Sequence, residues 1–273
     1  MQPFVPIEEN PPVVVGVNGP PNDLQVVDVA AAEAVRRRLP LRIVHAWAGQ
    51  YPRNPYRRFV ASVPEQPRHL LELAALRAGH TYPGLRVRTE LSDDSPAEAL
   101  LRASEHANLL VVGHRDDAGT GHGWGTTAAC LAHHSACPLL VYRGPSPGKG
   151  PVVLAASGRR TATVDSAFDA ASSFSSGLVA VHVREQAEPG ADDELERARG
   201  DWPGVTVERL FIRESDIPYT AERASRRGRL LVAGRGHKGW FVEQLYSAAN
   251  AATGGRLLCP VLLVPPGWRF AAA

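Results

Sequence analysis

The sequence is poor in several features that mark particular classes of protein. Only three of its 273 residues are cysteine, at positions 130, 137 and 259. That number is odd and far too small for a disulfide framework, so we expect a reduced, cytoplasmic protein. No run of about 18 apolar residues occurs, so we expect no membrane-spanning helix. Residues 1–12 lack a charged start and a long apolar core, and we expect no signal peptide there.

Lysine is also scarce, because Lys149 and Lys238 are the only two among the 30 basic residues. The 28 acidic residues interleave with the arginines, and the net charge is +2. No basic block typical of a nucleic-acid interface results. We therefore expect neither a nucleic acid nor a membrane as a partner.

What the sequence does contain is an alternation of short apolar runs with segments of helical periodicity. The apolar runs predict strands at 13–17, 41–46, 85–91, 109–112 and 139–142. The periodic segments predict helices that start after Asn22, over 69–78, from 96 to about 106 and from 126 to about 137. Residues 47–67 are polar and interrupted by prolines, so they are interpreted as a long loop. Strands that alternate with helices predict an α/β fold with a parallel, doubly wound sheet.

The whole pattern then occurs a second time. Residues 144–150 are rich in Gly and Pro, a composition typical of an interdomain linker. Matched anchors stand in the same order on both sides of it: Val13 with Val152, His45 with His182, Gly84 with Gly204, Gly113 with Gly234, and Cys137 with Cys259. The second copy lacks most of the 47–67 loop. We predict a tail at 1–12, a first domain at 13–143, a linker at 144–150 and a second domain at 151–273.

The stretch that follows the fourth predicted strand is rich in glycine. Gly113 ends the strand, four further glycines follow, and a helix is predicted to start at Thr126. A strand, a glycine loop and a helix N-terminus together present backbone N–H groups to phosphate. The alternative interpretation is an ordinary surface loop between two strands, since glycine runs are common in loops.

This stretch resembles the glycine motif of the universal stress protein family, Gly-x-x-Gly, nine residues and then Gly-Ser/Thr. Gly113 stands at the first position and Gly125-Thr126 form the final pair. Asp116 replaces the second glycine, and the spacer is one residue short. The tandem layout and the Cys-Pro pair before each last strand also resemble the family. The resemblance implies five-stranded sheets in the order 3-2-1-4-5, with the two fifth strands paired to each other.

The resemblance also implies which residues would hold an adenine nucleotide. In nucleotide-binding members, an Asp after the first strand and residues at the end of the second strand hold adenosine, and the glycine motif holds phosphate. The equivalent positions in this chain are Gly16, Asn18, Ala46, Gly113, Asp116, Gly125 and Thr126. Asn18 carries no charge. A carboxylate of Asp116 about 4 Å from a phosphate would cost roughly 1 kcal/mol in water and about 4 kcal/mol at a surface-like dielectric. Bound Mg²⁺ would offset this repulsion.

The second copy departs further from the motif. Ser157 replaces the Asp, His237 the second glycine, and Ser247-Ala248 the Gly-Ser/Thr pair. Arg235 and Lys238 remain as candidate ligands for an anion. The apolar residues that follow them, from Trp240 to Val242, instead favour packing.

The remaining reactive side chains form no recognised constellation. His114, His122, His133 and His134 match no zinc spacing, and we expect no metal site. Cys137 and Cys259 are interpreted as buried packing thiols, and His45 and His182 as structural residues. No nucleophile, base and acid stand in a convincing arrangement, so we expect no catalytic residues and no enzyme activity.

The sequence therefore favours a stress-response regulatory or interaction protein with degenerate ATP-binding motifs. In this interpretation the chain is a pseudo-sensor scaffold, an intrachain pseudo-dimer that binds a protein partner and requires no cofactor. The alternative is an adenine-nucleotide sensor that binds ATP, with Mg²⁺, through the first copy. A more remote alternative is a nucleotide-dependent enzyme of a related α/β group. A homodimer is compatible with each interpretation.

Overall fold

The computed structural model describes residues 10–18, 23–47, 65–113, 126–144, 149–156, 162–184, 191–235 and 259–269. The chain divides into two compact units, one ending at Val111 and the other starting at Val112. This division falls within a strand and differs from the sequence repeat. The predicted linker at 144–150, and the domains on either side of it, remain predictions.

Strands and helices alternate from β1 to β5 and from β6 to β9, as the sequence predicts. The strands are β1 Val13–Val17, β2 Leu41–Ala46, β3 Val87–Ser92, β4 Leu109–Gly113, β5 Leu139–Tyr142, β6 Val152–Ala156, β7 Leu178–Val183, β8 Val207–Ile212, β9 Leu230–Gly234 and β10 Val261–Val264. The helices are α1 Asp23–Arg37, α2 Glu65–Thr81, α3 Pro96–Ser104, α4 Thr126–His134, α5 Ala162–Ser173, α6 Ala191–Asp201 and α7 Ile217–Arg227. A 3₁₀ turn at Glu214–Asp216 precedes α7.

The sheet of the first unit is parallel and doubly wound. Its strands follow the order β3-β2-β1-β4. Val13, Val14 and Val15 of β1 are fully buried, which explains why this strand consists almost entirely of valine. In a parallel sheet the carboxyl ends of neighbouring strands lie at the same edge, so β1 and β2 both end where a ligand binds in folds of this type.

The second unit has the strand order β5-β10-β9-β6-β7-β8. The five strands of the second repeat, β6 to β10, are parallel to one another. Read from β8 to β10, they follow the order β8-β7-β6-β9-β10, which is the predicted order 3-2-1-4-5. β5 pairs with β10 in the antiparallel direction, with Leu140 opposite Leu262. The predicted pairing of the two fifth strands is therefore confirmed. Both leucines are buried, so the pairing covers two apolar strands that would otherwise be open edges.

One helix starts earlier than the sequence analysis predicts. α2 begins at Glu65, so the proposed loop does not extend to Pro67. Pro67 is the third helical residue, where an N–H group has no partner within the helix and the missing donor costs little. The prediction that the loop extends to Pro67 is therefore wrong, because Pro67 lies in the first turn of α2.

The predicted start of α3 is confirmed in detail. The Glu98 N–H donates to Ser95 Oγ at 3.3 Å, and the Ser95 N–H donates to Glu98 Oε2 at 3.2 Å. This reciprocal capping box, with Pro96 at the first helical position, satisfies two backbone donors. α3 ends at Ser104, two residues before the predicted end at His106.

The repeated anchors of the sequence occupy matching places. The Leu85 N–H donates to the Tyr82 carbonyl at 3.1 Å, and the Val205 N–H donates to the Trp202 carbonyl at 3.0 Å, so the same turn precedes β3 and β8. Cys137 and Cys259 are fully buried, which confirms their interpretation as packing thiols. The structural resemblance of the repeats thus extends to their turns and core residues.

Candidate functional site

Three of the predicted site residues lie at the carboxyl edge of β1 and β2. Gly16 is the fourth residue of β1 and pairs in register with Val44. Asn18 follows β1 directly and is exposed, and Ala46 ends β2 and is half-buried. These residues lie at the edge of the sheet where a ligand binds in folds of this type, and their role in holding adenosine remains a prediction.

A buried histidine fixes the two strand ends relative to each other. Nδ1 of His45 donates to the Val17 carbonyl at 2.8 Å, and the ring is only 4% exposed. Because a carbonyl can only accept, the proton is on Nδ1. The His45 and Trp47 ring centroids are 6.2 Å apart, and the Trp47 N–H donates to the Ser92 carbonyl at 2.9 Å. His45 thus has the structural role predicted for it.

Gly16 has a packing partner that the sequence analysis did not identify. A Cβ at this position would lie 2.8 Å from Cδ1 of Leu100, which is buried in α3. Real carbon atoms do not approach so closely, so a side chain at position 16 would require the end of the Leu100 side chain to shift. The contact with α3 thus gives this glycine a packing role in the core of the first unit.

The phosphate end of the predicted site is only partly described. Gly113 is the half-buried last residue of β4, and Thr126 is the first residue of α4. Asp116 and Gly125 lie outside the described residues. The roles assigned to these four positions remain predictions.

In the second repeat, the glycine that matches Gly113 also meets a neighbouring helix. A Cβ on Gly234, at the end of β9, would lie 2.9 Å from Oγ1 of Thr163 in α5. As in the first repeat, the absence of a side chain at this edge permits a close approach of a helix to a strand.

Arg235, a candidate anion ligand of the second repeat, has a different partner. Its Nη1 donates to the Ser135 carbonyl, just beyond α4, at 2.8 Å. Burial lowers the pKa of its guanidinium. A cation at this end of α4 is favourable because the last carbonyls of a helix carry partial negative charge. No local signal predicts this contact, since its two residues are 100 positions apart.

Within the described ranges, no group of three His, Cys, Asp or Glu side chains is arranged to hold a metal ion. His133 and His134 are exposed near the end of α4, with ring centroids 6.2 Å apart. Among the same residues, none of the helices is both long and apolar enough to cross a bilayer.

Comparison with known proteins identifies the family. The model of the universal stress protein family matches residues 9–143. A universal stress protein of Mycolicibacterium smegmatis is 30% identical over 286 aligned positions, which cover 93% of this chain and 97% of the relative. The chain belongs to the universal stress protein family. A universal stress protein of Mycobacterium tuberculosis is 34% identical over 143 positions, 51% of this chain and 48% of that protein.

A solved universal stress protein structure agrees with the fold. The protein, from Archaeoglobus fulgidus, covers 94% of this chain with a TM-score of 0.69 at 12% identity, and 97% of its own length is matched. At this identity the likeness concerns the fold alone. The α/β architecture of the universal stress proteins is thus confirmed over both repeats.

Proposed function

We propose that this universal stress protein is a cytoplasmic stress-response regulator that acts through a protein partner and has no catalytic role. The observation that carries the proposal is that residues at candidate nucleotide-binding positions contact other parts of the protein itself. Gly16 accommodates Leu100, Gly234 accommodates Thr163, and these contacts explain the glycines as packing residues. Arg235 holds the end of α4.

The residues that differ from the motif support the same proposal. Asn18 lacks the charge of the family's Asp. A carboxylate at Asp116, about 4 Å from a phosphate, would weaken binding by roughly tenfold to a thousandfold. The pairing of β5 with β10 supports an intrachain pseudo-dimer, a scaffold that keeps the family architecture without a nucleotide response.

A thermal-shift screen of the full chain with ATP, ADP, AMP and cyclic AMP, with and without Mg²⁺, tests the proposal. A nucleotide at about a hundred times its Kd adds about 2.7 kcal/mol to the free energy of unfolding. In a protein of this size that would raise Tm by roughly 5–10 °C. We expect shifts below about 1 °C. A shift that grows with nucleotide concentration would show that the protein is a sensor.

One observation favours the second candidate, an adenine-nucleotide sensor in the first repeat. Nε1 of Trp47 is buried and has no hydrogen-bond partner among the described residues. Trp47 directly follows Ala46, at the adenosine end of the predicted site. A buried donor without a partner is costly, by about 1–3 kcal/mol, and a ring nitrogen of adenine would satisfy it. In the screen, this candidate predicts a shift with every adenine nucleotide.

A further inference from the structure

The two repeats can be compared position by position, because equivalent residues make equivalent backbone contacts. Val44 pairs with Glu90 in the first repeat, and Val181 pairs with Leu210 in the second. The Asn108 N–H donates to the Pro12 carbonyl, and the Arg229 N–H donates to the Pro151 carbonyl, both at 2.9 Å. The surface formed by β3 and α3 in the first repeat therefore corresponds to that formed by β8 and α7 in the second.

On the first surface, acidic side chains have structural partners. Glu90 on β3 accepts from Arg42 Nε at 2.7 Å. Glu98 belongs to the capping box of α3. Arg102 pairs with Asp94. From Glu98 to His106 the chain carries two glutamates and one arginine, a net charge of −1 with His106 neutral.

The second surface has the opposite charge and carries exposed apolar groups. Leu210 replaces Glu90, Tyr219 replaces Glu98 and Arg226 replaces Glu105. Leu210 is 40% exposed and Tyr219 is 64% exposed. From Tyr219 to Arg227 the chain carries three arginines and one glutamate, a net charge of +2.

The arginines of α7 are presented on its exposed side. Nη1 of Arg223 donates to the Tyr219 hydroxyl at 3.0 Å, which places the tyrosine and the arginine on one stripe of the helix. Nη2 of Arg226 lies 2.9 Å from a Glu222 oxygen, so this arginine is partly neutralised. Arg223, Arg226 and Arg227 are all exposed.

Helix stability explains only part of this arrangement. Arginines in the last turn interact favourably with the helix dipole, and Arg226 and Arg227 do so. That effect explains neither an exposed tyrosine in the first turn nor an exposed leucine on the adjacent edge strand. Leu210 lies on the face of the sheet that α7 covers, because its register partner Val181 lines the apolar gap beneath α7.

We propose that the α7 surface, defined as Leu210, Tyr219, Arg223, Arg226 and Arg227, binds an acidic segment of a partner protein that also carries apolar side chains. Tyrosine and arginine, together with tryptophan, are enriched among the residues that dominate binding at protein–protein interfaces. A nucleic acid would contact the arginines through phosphate and Tyr219 by stacking, but it would have no use for the exposed leucine. The proposal rests on the proposed function in one respect, that the protein acts through a protein partner.

Binding of a fluorescein-labelled peptide of alternating Glu and Leu to the full chain, followed by anisotropy at low salt, tests the proposal. Three variants each introduce the glutamate that the first repeat has at the equivalent position: Tyr219→Glu, Leu210→Glu and Arg226→Glu. The control is Arg68→Glu, at an exposed position of α2, which changes the net charge as much as Arg226→Glu does. Circular dichroism and Tm of each variant verify its fold.

We expect the wild-type chain to bind the peptide and each of the three variants to bind it about tenfold more weakly. Arg68→Glu should change the Kd by less than about twofold, and added salt should weaken binding of the wild type. The proposal is overturned if the peptide does not bind, or if the control weakens binding equally. Tighter binding of oligothymidylate or of phosphatidylglycerol vesicles than of the peptide would also overturn it. Because the nucleotide screen uses a different ligand, failure of the proposed function and failure of this inference are distinguishable.

Discussion

At the scale of single residues, the two repeats differ in how the first strand packs against the helix that covers it. In the first repeat, Gly16 on β1 meets Leu100 on α3. In the second, Ala155 and Ala221 occupy the equivalent positions and line an apolar gap beneath α7. In the first repeat the large side chain of Leu100 therefore fills the space left by Gly16. In the second repeat two alanines face each other and leave a gap. Packing of this kind is complementary across a pair and is not a property of either residue alone.

Substitution of Gly16 by alanine should therefore destabilise the protein through Leu100. The new Cβ would force a buried leucine to move, and such overpacking typically costs about 1–3 kcal/mol. Leu100→Ala in the same chain should remove the clash, so the two effects should be less than additive. Urea unfolding of the wild type, both single variants and the double variant measures this. If Gly16→Ala leaves the free energy of unfolding unchanged, the packing explanation of this glycine is wrong.

Among the helices, α1 contains a partly buried charge cluster that links stability to pH. The Glu33 carboxylate accepts from Arg36 Nη2 at 2.8 Å and from Arg37 Nε at 3.1 Å. Burial by itself would raise the pKa of Glu33, but the two arginines outweigh it and hold this pKa below its ordinary value of 4.5. Arg37 also donates to Asn108 Oδ1 at 2.9 Å, so the cluster ties α1 to the start of β4.

Glu33→Gln should lower stability at neutral pH and have progressively less effect in acid. A depressed folded pKa means that the contribution is present above the unfolded pKa and is lost as the pH falls through the folded pKa. We expect a loss of about 1.5–3 kcal/mol at pH 7, the range for hydrogen bonds to charged groups. The difference should shrink as the pH falls below 4.5. Urea unfolding at a series of pH values gives the difference, and a constant value from pH 7 to acid would contradict the assignment.

The elements of the fold differ in how well the sequence predicts them. β5 is predicted at its observed bounds, because it is a short apolar run that follows a Cys-Pro pair. The capping box of α3 is equally local. The predicted start of α2 is wrong because proline is compatible with both a loop and a first helical turn. The local sequence pattern thus predicts the type and order of the helices and strands more reliably than it predicts their first and last residues.

The candidate site is less predictable than the fold for a physical reason. Motif positions identify Gly16 and Arg235, but the sequence does not reveal that Leu100 and the Ser135 carbonyl contact them. Both contacts join elements far apart in the chain. A glycine or an arginine has the same appearance in a sequence whether its neighbour is a phosphate, a leucine or a helix end. The distinction requires the packed structure.

For the whole molecule, the central claim is that the family scaffold is retained without a nucleotide response. The two most important departures from the motif, Asn18 and Asp116, are both single substitutions. Asn18→Asp would restore charge at the adenosine end. Asp116→Gly would remove repulsion and supply the close backbone approach that phosphate requires. The effects should be nearly independent if the two positions lie at opposite ends of the ligand.

Calorimetric titration of ATP with Mg²⁺ into the full chain tests this claim most directly. We predict that the wild-type protein binds more weakly than about 1 mM, a binding free energy smaller in magnitude than about 4 kcal/mol. The chain with both Asn18→Asp and Asp116→Gly should bind at least about tenfold more tightly than the wild type. Saturable binding of ATP to the wild-type protein with a micromolar Kd would contradict the account, because the motif with Asn18 and Asp116 in place would then be a working nucleotide site.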